Sequence, residues 1–93
     1  MIKSELANII AGELDFSKPL VRSVLNSILK TMSDTLKRGE SIQIRGFGSF
    51  VVKQYGAYEG QNPKTGEKIQ VKPKKKPHFK VSKNLLTKVN REV

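Results

Sequence analysis

The sequence predicts an α+β fold: an N-terminal helical hairpin over residues 1–39, antiparallel strands with a long β-ribbon over residues 41–81, and a short closing helix over about residues 83–91. Three observations carry this. Apolar residues recur at three and four before residue 39 and at two from residue 41 onward. Asn62-Pro63-Lys64-Thr65-Gly66 is a proline–glycine turn between two extended segments. Leu85, Leu86 and Val89 then return to helical spacing behind Ser82, a good N-cap.

In the first helix Leu6, Ile9, Ile10 and Leu14 fall on one face, with Ser4 as the candidate cap. Asp15-Phe16-Ser17 interrupts the pattern. Ser17 caps a second helix, and Pro19 sits in its first turn, where a missing N–H costs little. Leu20, Val21, Val24, Leu25, Ile28, Leu29, Met32 and Leu36 form a stripe too wide for one short neighbour to cover. Arg38-Gly39 ends the helix with a cation near its negative pole and a C′ glycine. A helix-turn-helix is the alternative, but the second helix carries few basic residues (Arg22, Lys30, Lys37) and its stripe belongs inside. Two packed core helices are the stronger reading.

Ile42 and Ile44 alternate with polar neighbours, as in a half-buried strand. Gly46 and Gly48 flank Phe47 and permit a tight turn, after which Phe50 and Val52 continue the alternation. His78-Phe79-Lys80-Val81 reads as a short strand. Ile44, Phe47, Phe50 and Phe79 suit a core, yet two helices and a few strands offer them few partners within one chain. A core shared between two chains resolves this, and a chain of 93 residues gains from such a partner.

The net charge of +10 sets the partner class, since such an excess attracts polyanions, nucleic acid foremost and membrane surfaces second. Half of it lies in residues 53–76, where seven lysines face Glu59 and Glu67. With few large apolar residues, this segment has little to fold onto, and a lone two-stranded ribbon is marginal in water. In a regular return strand Lys68, Lys72, Lys74 and Lys76 share one face and Ile69 and Val71 the other, unless Pro73 shifts the phase. A solvated lysine run is the bland reading, and Lys74-Lys75-Lys76 is a weak match to a localisation signal. The sharper reading is a ribbon that follows a groove, with Pro63 at its tip wedged between base pairs.

Other classes find less support. The absence of cysteine excludes disulfides and thiolate metal sites. His78, the only histidine, has no second ligand near it in the sequence and reads as a surface or strand residue. No stretch approaches the roughly 20 apolar residues of a membrane span, and no apolar run suits a signal peptide. No catalytic dyad, phosphate loop or metal cluster is visible, so an enzyme is least expected. A single-stranded DNA or RNA binder would need stacking aromatics, for which Tyr55 and Tyr58 are the candidates.

Arg45-Gly46-Phe47-Gly48-Ser49-Phe50, then Gly60-Gln61-Asn62-Pro63-Lys64-Thr65-Gly66-Glu67, then Pro77-His78-Phe79-Lys80, together with the opening Lys3-Ser4-Glu5-Leu6, resemble the bacterial HU/IHF family of DNA-bending proteins over nearly the whole chain. The wording is closest to the IHF beta-type subunit. The resemblance implies an intertwined dimer, identical or with a related subunit, in which each chain adds a three-stranded antiparallel sheet and a β-ribbon arm that enters the minor groove of double-stranded DNA. It places Ile44, Phe47, Phe50 and Phe79 in the dimer core. Lys3, Arg45, Lys53, Lys75, Lys80 and Lys83 fall where the family meets phosphates or the groove, and Gly46, Lys64, Lys68 and Lys72 complete the DNA-facing set with Gln61, Asn62 and the intercalating Pro63. Helix N-termini near Ser4 and Ser82 are further phosphate sites. The outgoing arm strand departs from the pattern. Tyr55, Tyr58 and Gln61 stand where the family often has arginine, and Glu59 replaces a common basic residue. The implied setting is cytoplasmic and nucleoid-associated. No cofactor, metal, membrane or small-molecule substrate is expected.

Overall fold

The structure, a computed structural model, describes every residue except Ala57, Glu92 and Val93, and for Tyr58 and Val71 the backbone alone. In chain order the elements are α1 (Lys3–Leu14), α2 (Lys18–Lys37), β1 (Ile42–Ile44), β2 (Gly48–Tyr55), β3 (Tyr58–Gln61), β4 (Lys68–Val71), β5 (Lys74–Val81) and α3 (Lys83–Asn90). They form two units, Met1–Thr35 and Leu36–Val93. No helix among the described residues is long and apolar enough to cross a membrane.

In the first unit α1 starts behind Ile2, which has no side chain to cap with, and Glu5 in the first turn meets the positive end of the helix. Ser4, expected as the cap, is instead the second residue of the helix. The helix ends at Asp15 in the left-handed region (φ 56°), a conformation that aspartate tolerates. Ser17 caps α2 as expected, its Oγ accepting from the Leu20 N–H at 3.3 Å. Gly39, at φ 83°, stops α2 and donates its N–H to the Leu36 carbonyl.

The contact between α1 and α2 differs from the expected apolar face. Ala7, Ala11 and Val21 are buried, with Ile10 and Leu25 packed against them. The seam runs along Ala7 and Ala11, with Val21 in the same buried cluster. Leu6, Ile9 and Leu14 fall to its flank and stay exposed. The wide stripe of α2 is uncovered as its width implied: Val24 and Ile28 are each about half exposed.

In the second unit β1, β2 and β5 form an antiparallel sheet with β2 in the centre, and β3 and β4 form a separate two-stranded ribbon. Ile42 pairs with Phe50, Phe50 with Phe79, and Lys53 with Lys76. Gly46 (φ 82°) turns the chain between β1 and β2, where the Phe47 N–H bonds the Ile44 carbonyl. The ribbon is not the pair of unbroken strands expected. The ladder stops at Tyr55–Lys74 and resumes at Tyr58–Val71 in the same register. The continued register sets Gly56 against Pro73, which has no N–H to offer the ladder. The expected return-strand stripe from Lys68 to Lys76 is therefore interrupted at Lys72-Pro73. Conversely, the short strand expected at residues 78–81 extends back to Lys74. Ser82 caps α3, accepting from the Leu85 N–H at 3.1 Å, while its own N–H bonds the Phe47 carbonyl.

Gly48 is required for space. A Cβ there would lie 2.5 Å from the Lys80 carbonyl oxygen and 2.6 Å from the Phe79 ring. Gly48→Ala is expected to destabilise the fold by about 1–3 kcal/mol through overpacking. Gly56→Ala, with nothing within 4 Å, is expected to leave stability unchanged. Urea unfolding at one fixed protein concentration separates the two.

Candidate nucleic-acid interface

Alternation along paired strands sorts the β1–β2–β5 sheet into two faces. One carries Ile42, Ile44, Phe50, Val52, Pro77, Phe79 and Val81. The other carries Lys53, Lys74, Lys76 and Lys80, with Ser49, Val51, Tyr55 and His78 among them. The side-chain contacts agree with this division. On the apolar face the Phe79 ring packs on Phe50 and on Phe47, with centroids 4.9 and 5.5 Å apart. On the cationic face the Tyr55 hydroxyl lies 3.2 Å from His78 Nε2, and Lys76 Nζ lies 5.9 Å above the Tyr55 ring.

The aromatic cluster does not close on itself. Phe47 and Phe79 remain 45% and 44% exposed, and Ile44 40%. These apolar residues expected at a dimer core are thus brought together in one chain and left uncovered on one side.

The residues singled out for DNA fall into groups. Arg45, Gly46 and Lys80 meet around an open depression of about 450 Å³ that Ser49 and Ser82 also line. Lys83 opens α3 directly beside it in sequence. Lys53 shares its face with Lys76 and Lys80, whereas Lys75, paired with Gln54, points to the opposite side. Lys72 lies in the break between ladders. Lys3 is on α1, in the other unit. Lys68 pairs with Gln61, and its Nζ lies 3.9 Å from a Glu59 oxygen, so the ribbon's own carboxylate engages one of its few cations.

At the ribbon tip the Asn62 N–H bonds the Glu67 carbonyl and the Gly66 N–H returns to the Asn62 carbonyl, both at 2.8 Å. Gly66 takes φ 73°, which closes a four-residue loop across Pro63, Lys64, Thr65 and Gly66. Pro63 is exposed at its apex.

Two features escaped the sequence reading. The face expected to hold Lys74 and Lys76 continues to Lys80 and, across the ladder, to Lys53, and counting on by twos from Lys76 would have found Lys80. The Tyr55–His78 contact spans 23 positions in sequence and has no local signal. Tyr58, the other candidate stacking residue, has a side chain outside the described residues.

Comparison with known proteins agrees with this geometry. The family model described as "Bacterial DNA-binding protein" matches residues 1–90. The chain is similar to integration host factor subunit beta of Buchnera aphidicola subsp. Cinara cedri, 44% identical over 91 residues, 97% of this chain and 94% of that protein. It is also similar to DNA-binding protein HU 1 of Bacillus subtilis, 41% identical over 85 residues, 91% of this chain and 92% of that one. Among solved structures it resembles Anabaena HU in a cocrystal with DNA (TM-score 0.85, 33% identity, 99% of this chain and 100% of that chain). HU from Thermotoga maritima is a second structural relative (TM-score 0.68, 31% identity, 97% and 100%). The chain therefore belongs to the HU/IHF family of bacterial DNA-binding proteins.

Proposed function

We propose that this protein is an architectural DNA-binding protein: two chains, identical or related, hold out a pair of cationic β-ribbons that enter the minor groove of duplex DNA and bend it. The observation that carries this reading is the two-stranded ribbon that continues the β2–β5 ladder past the lysines at its base, Lys53, Lys72, Lys74, Lys75 and Lys76, and ends in an ordered turn with Pro63 exposed. The uncovered Ile44, Phe47 and Phe79 supply the reason for a second chain. The relatives' names, subunit beta of a host factor and HU, and the cocrystal of one of them with DNA support both parts. Such a protein would serve nucleoid organisation and assist transcription, replication or recombination by setting DNA geometry.

The energetics follow from charge. Each phosphate neutralised by a lysine or arginine releases counterions, with a salt slope near −0.9 per contact and little base information. Smooth bending costs on the order of 1–6 kcal/mol, and a proline wedge adds unstacking. Phosphate contacts along the bent duplex, from Arg45, Lys53, Lys80 and Lys83 and from the opposite-facing Lys75, offset that cost. Flexible, nicked or A/T-rich duplexes deform most easily and are the preferred sites.

Energy transfer between dyes on the two ends of a duplex tests the bend. End-to-end distance is expected to shorten at saturation, and an unchanged distance contradicts bending. Pro63→Ala is expected to reduce the bend more than the affinity, and equal loss of both would mean that Pro63 is no wedge. Glu59→Gln removes the carboxylate beside Lys68. It is expected to tighten binding by about two- to fivefold at low salt, the range of exposed charge pairs, with the gain shrinking as salt rises. Anisotropy titrations at two salt concentrations measure this. Equal or weaker binding would place Glu59 away from the phosphates.

A further inference from the structure

We infer that Gln61 and Asn62 are positioning residues that set the arm tip before DNA arrives, so that Pro63 is presented as a fixed wedge. The inference rests on the reading of Pro63 as the wedge and adds what holds it.

Asn62 makes three hydrogen bonds within the tip. Its N–H and C=O close the loop on Glu67 and Gly66. Its Oδ1 accepts from the Lys64 N–H at 2.9 Å, folding the side chain over Pro63 in an Asx turn. The residue before a proline is already confined to extended conformations, and the proline's own φ is fixed. Pro63 is thus held from both sides in sequence, by Asn62 and by the Lys64 amide that Asn62 binds.

Gln61 adds a brace from the end of β3. Its Nε2 donates to the Gly66 carbonyl at 3.2 Å. An amide at this place in a groove-binding arm invites a role in reading base edges, and here one of its two N–H donors is spent on the tip itself. The Thr65 hydroxyl accepts from the Glu67 N–H at 3.3 Å on the far side of the loop. All of these bonds lie between residues 61 and 67, so the tip stays one unit even where the ribbon behind it is interrupted at Gly56 and Pro73. A wedge with its orientation already set loses less conformational freedom on insertion than one ordered by the DNA.

The test uses the full-length protein. Amide exchange in the absence of DNA is expected to be slowed at Lys64 and Gly66 by roughly tenfold relative to an unstructured chain, the scale of one modest hydrogen bond. Asn62→Ala is expected to abolish the protection at Lys64 and to lose as much of the bend, read by end-to-end energy transfer, as Pro63→Ala does, with affinity changed less than the bend. Asn62→Ser, which keeps a weaker acceptor, is expected to restore part of both. Gln61→Met, of similar length without the amide, is expected to raise exchange at the tip and reduce the bend by less than Asn62→Ala. Exchange at Lys64 and Gly66 at unstructured rates in the free protein overturns the inference. So does an Asn62→Ala protein that bends DNA like the wild type while Pro63→Ala does not. If Pro63→Ala itself bends like the wild type while the tip amides are protected, the wedge reading fails and the positioning role falls with it; lost protection alone overturns only the positioning.

Discussion

The apolar side chains of this chain outnumber the surface available within it to cover them. Among the described residues the buried hydrophobic side chains are two alanines and a valine, Ala7, Ala11 and Val21. Val24, Ile28, Leu29, Ile44, Phe47 and Phe79 are each more than a third exposed. Fully burying one large apolar side chain contributes roughly 1.5–3 kcal/mol, while ordering each residue's backbone opposes folding by roughly 1–2 kcal/mol. A fold that leaves its largest side chains half in water forgoes the term that offsets that entropy. The proposed second chain, laid on the α2 stripe and on the apolar sheet face, would restore it and couple folding to assembly.

The same sheet also organises the cations. Because side chains alternate across a strand, β5 sends Phe79 and Val81 to one side and Lys74, Lys76 and Lys80 to the other. A register slip of one residue would exchange the two sets. The ring of Phe79 over Gly48 and its packing on Phe50 fix that register from the apolar side. Core packing thus decides where positive charge is displayed. Beyond Tyr55 and Lys74 the ribbon pairs only with itself, Ile69 stays about half exposed, and the local hydrogen bonds at the tip close its far end.

Much of this was legible in the residues. The change from three-four to two periodicity marked the passage from α2 to β1, and Ser17, Gly39 and Ser82 marked helix ends because their chemistry is local. The Asn62–Gly66 turn was readable for the same reason. The Ala7–Ala11 seam was hidden, since an apolar pattern weighs leucine and isoleucine above alanine. The break at Gly56 and Pro73 was half visible: Pro73 announced a lost N–H, but its partner across the ribbon depended on the register. At the interface, Lys53 and Lys80 share a face while Lys75 lies on the other. That distinction required knowing which residue opposes which, and the Tyr55–His78 contact required it too.

Sedimentation equilibrium of the purified chain, combined with thermal unfolding over a range of concentrations, tests the central claim most directly. The account predicts two chains in every folded particle, this chain with itself or with a related subunit, and a melting temperature that rises with protein concentration. A folded single chain whose melting temperature is independent of concentration would contradict it.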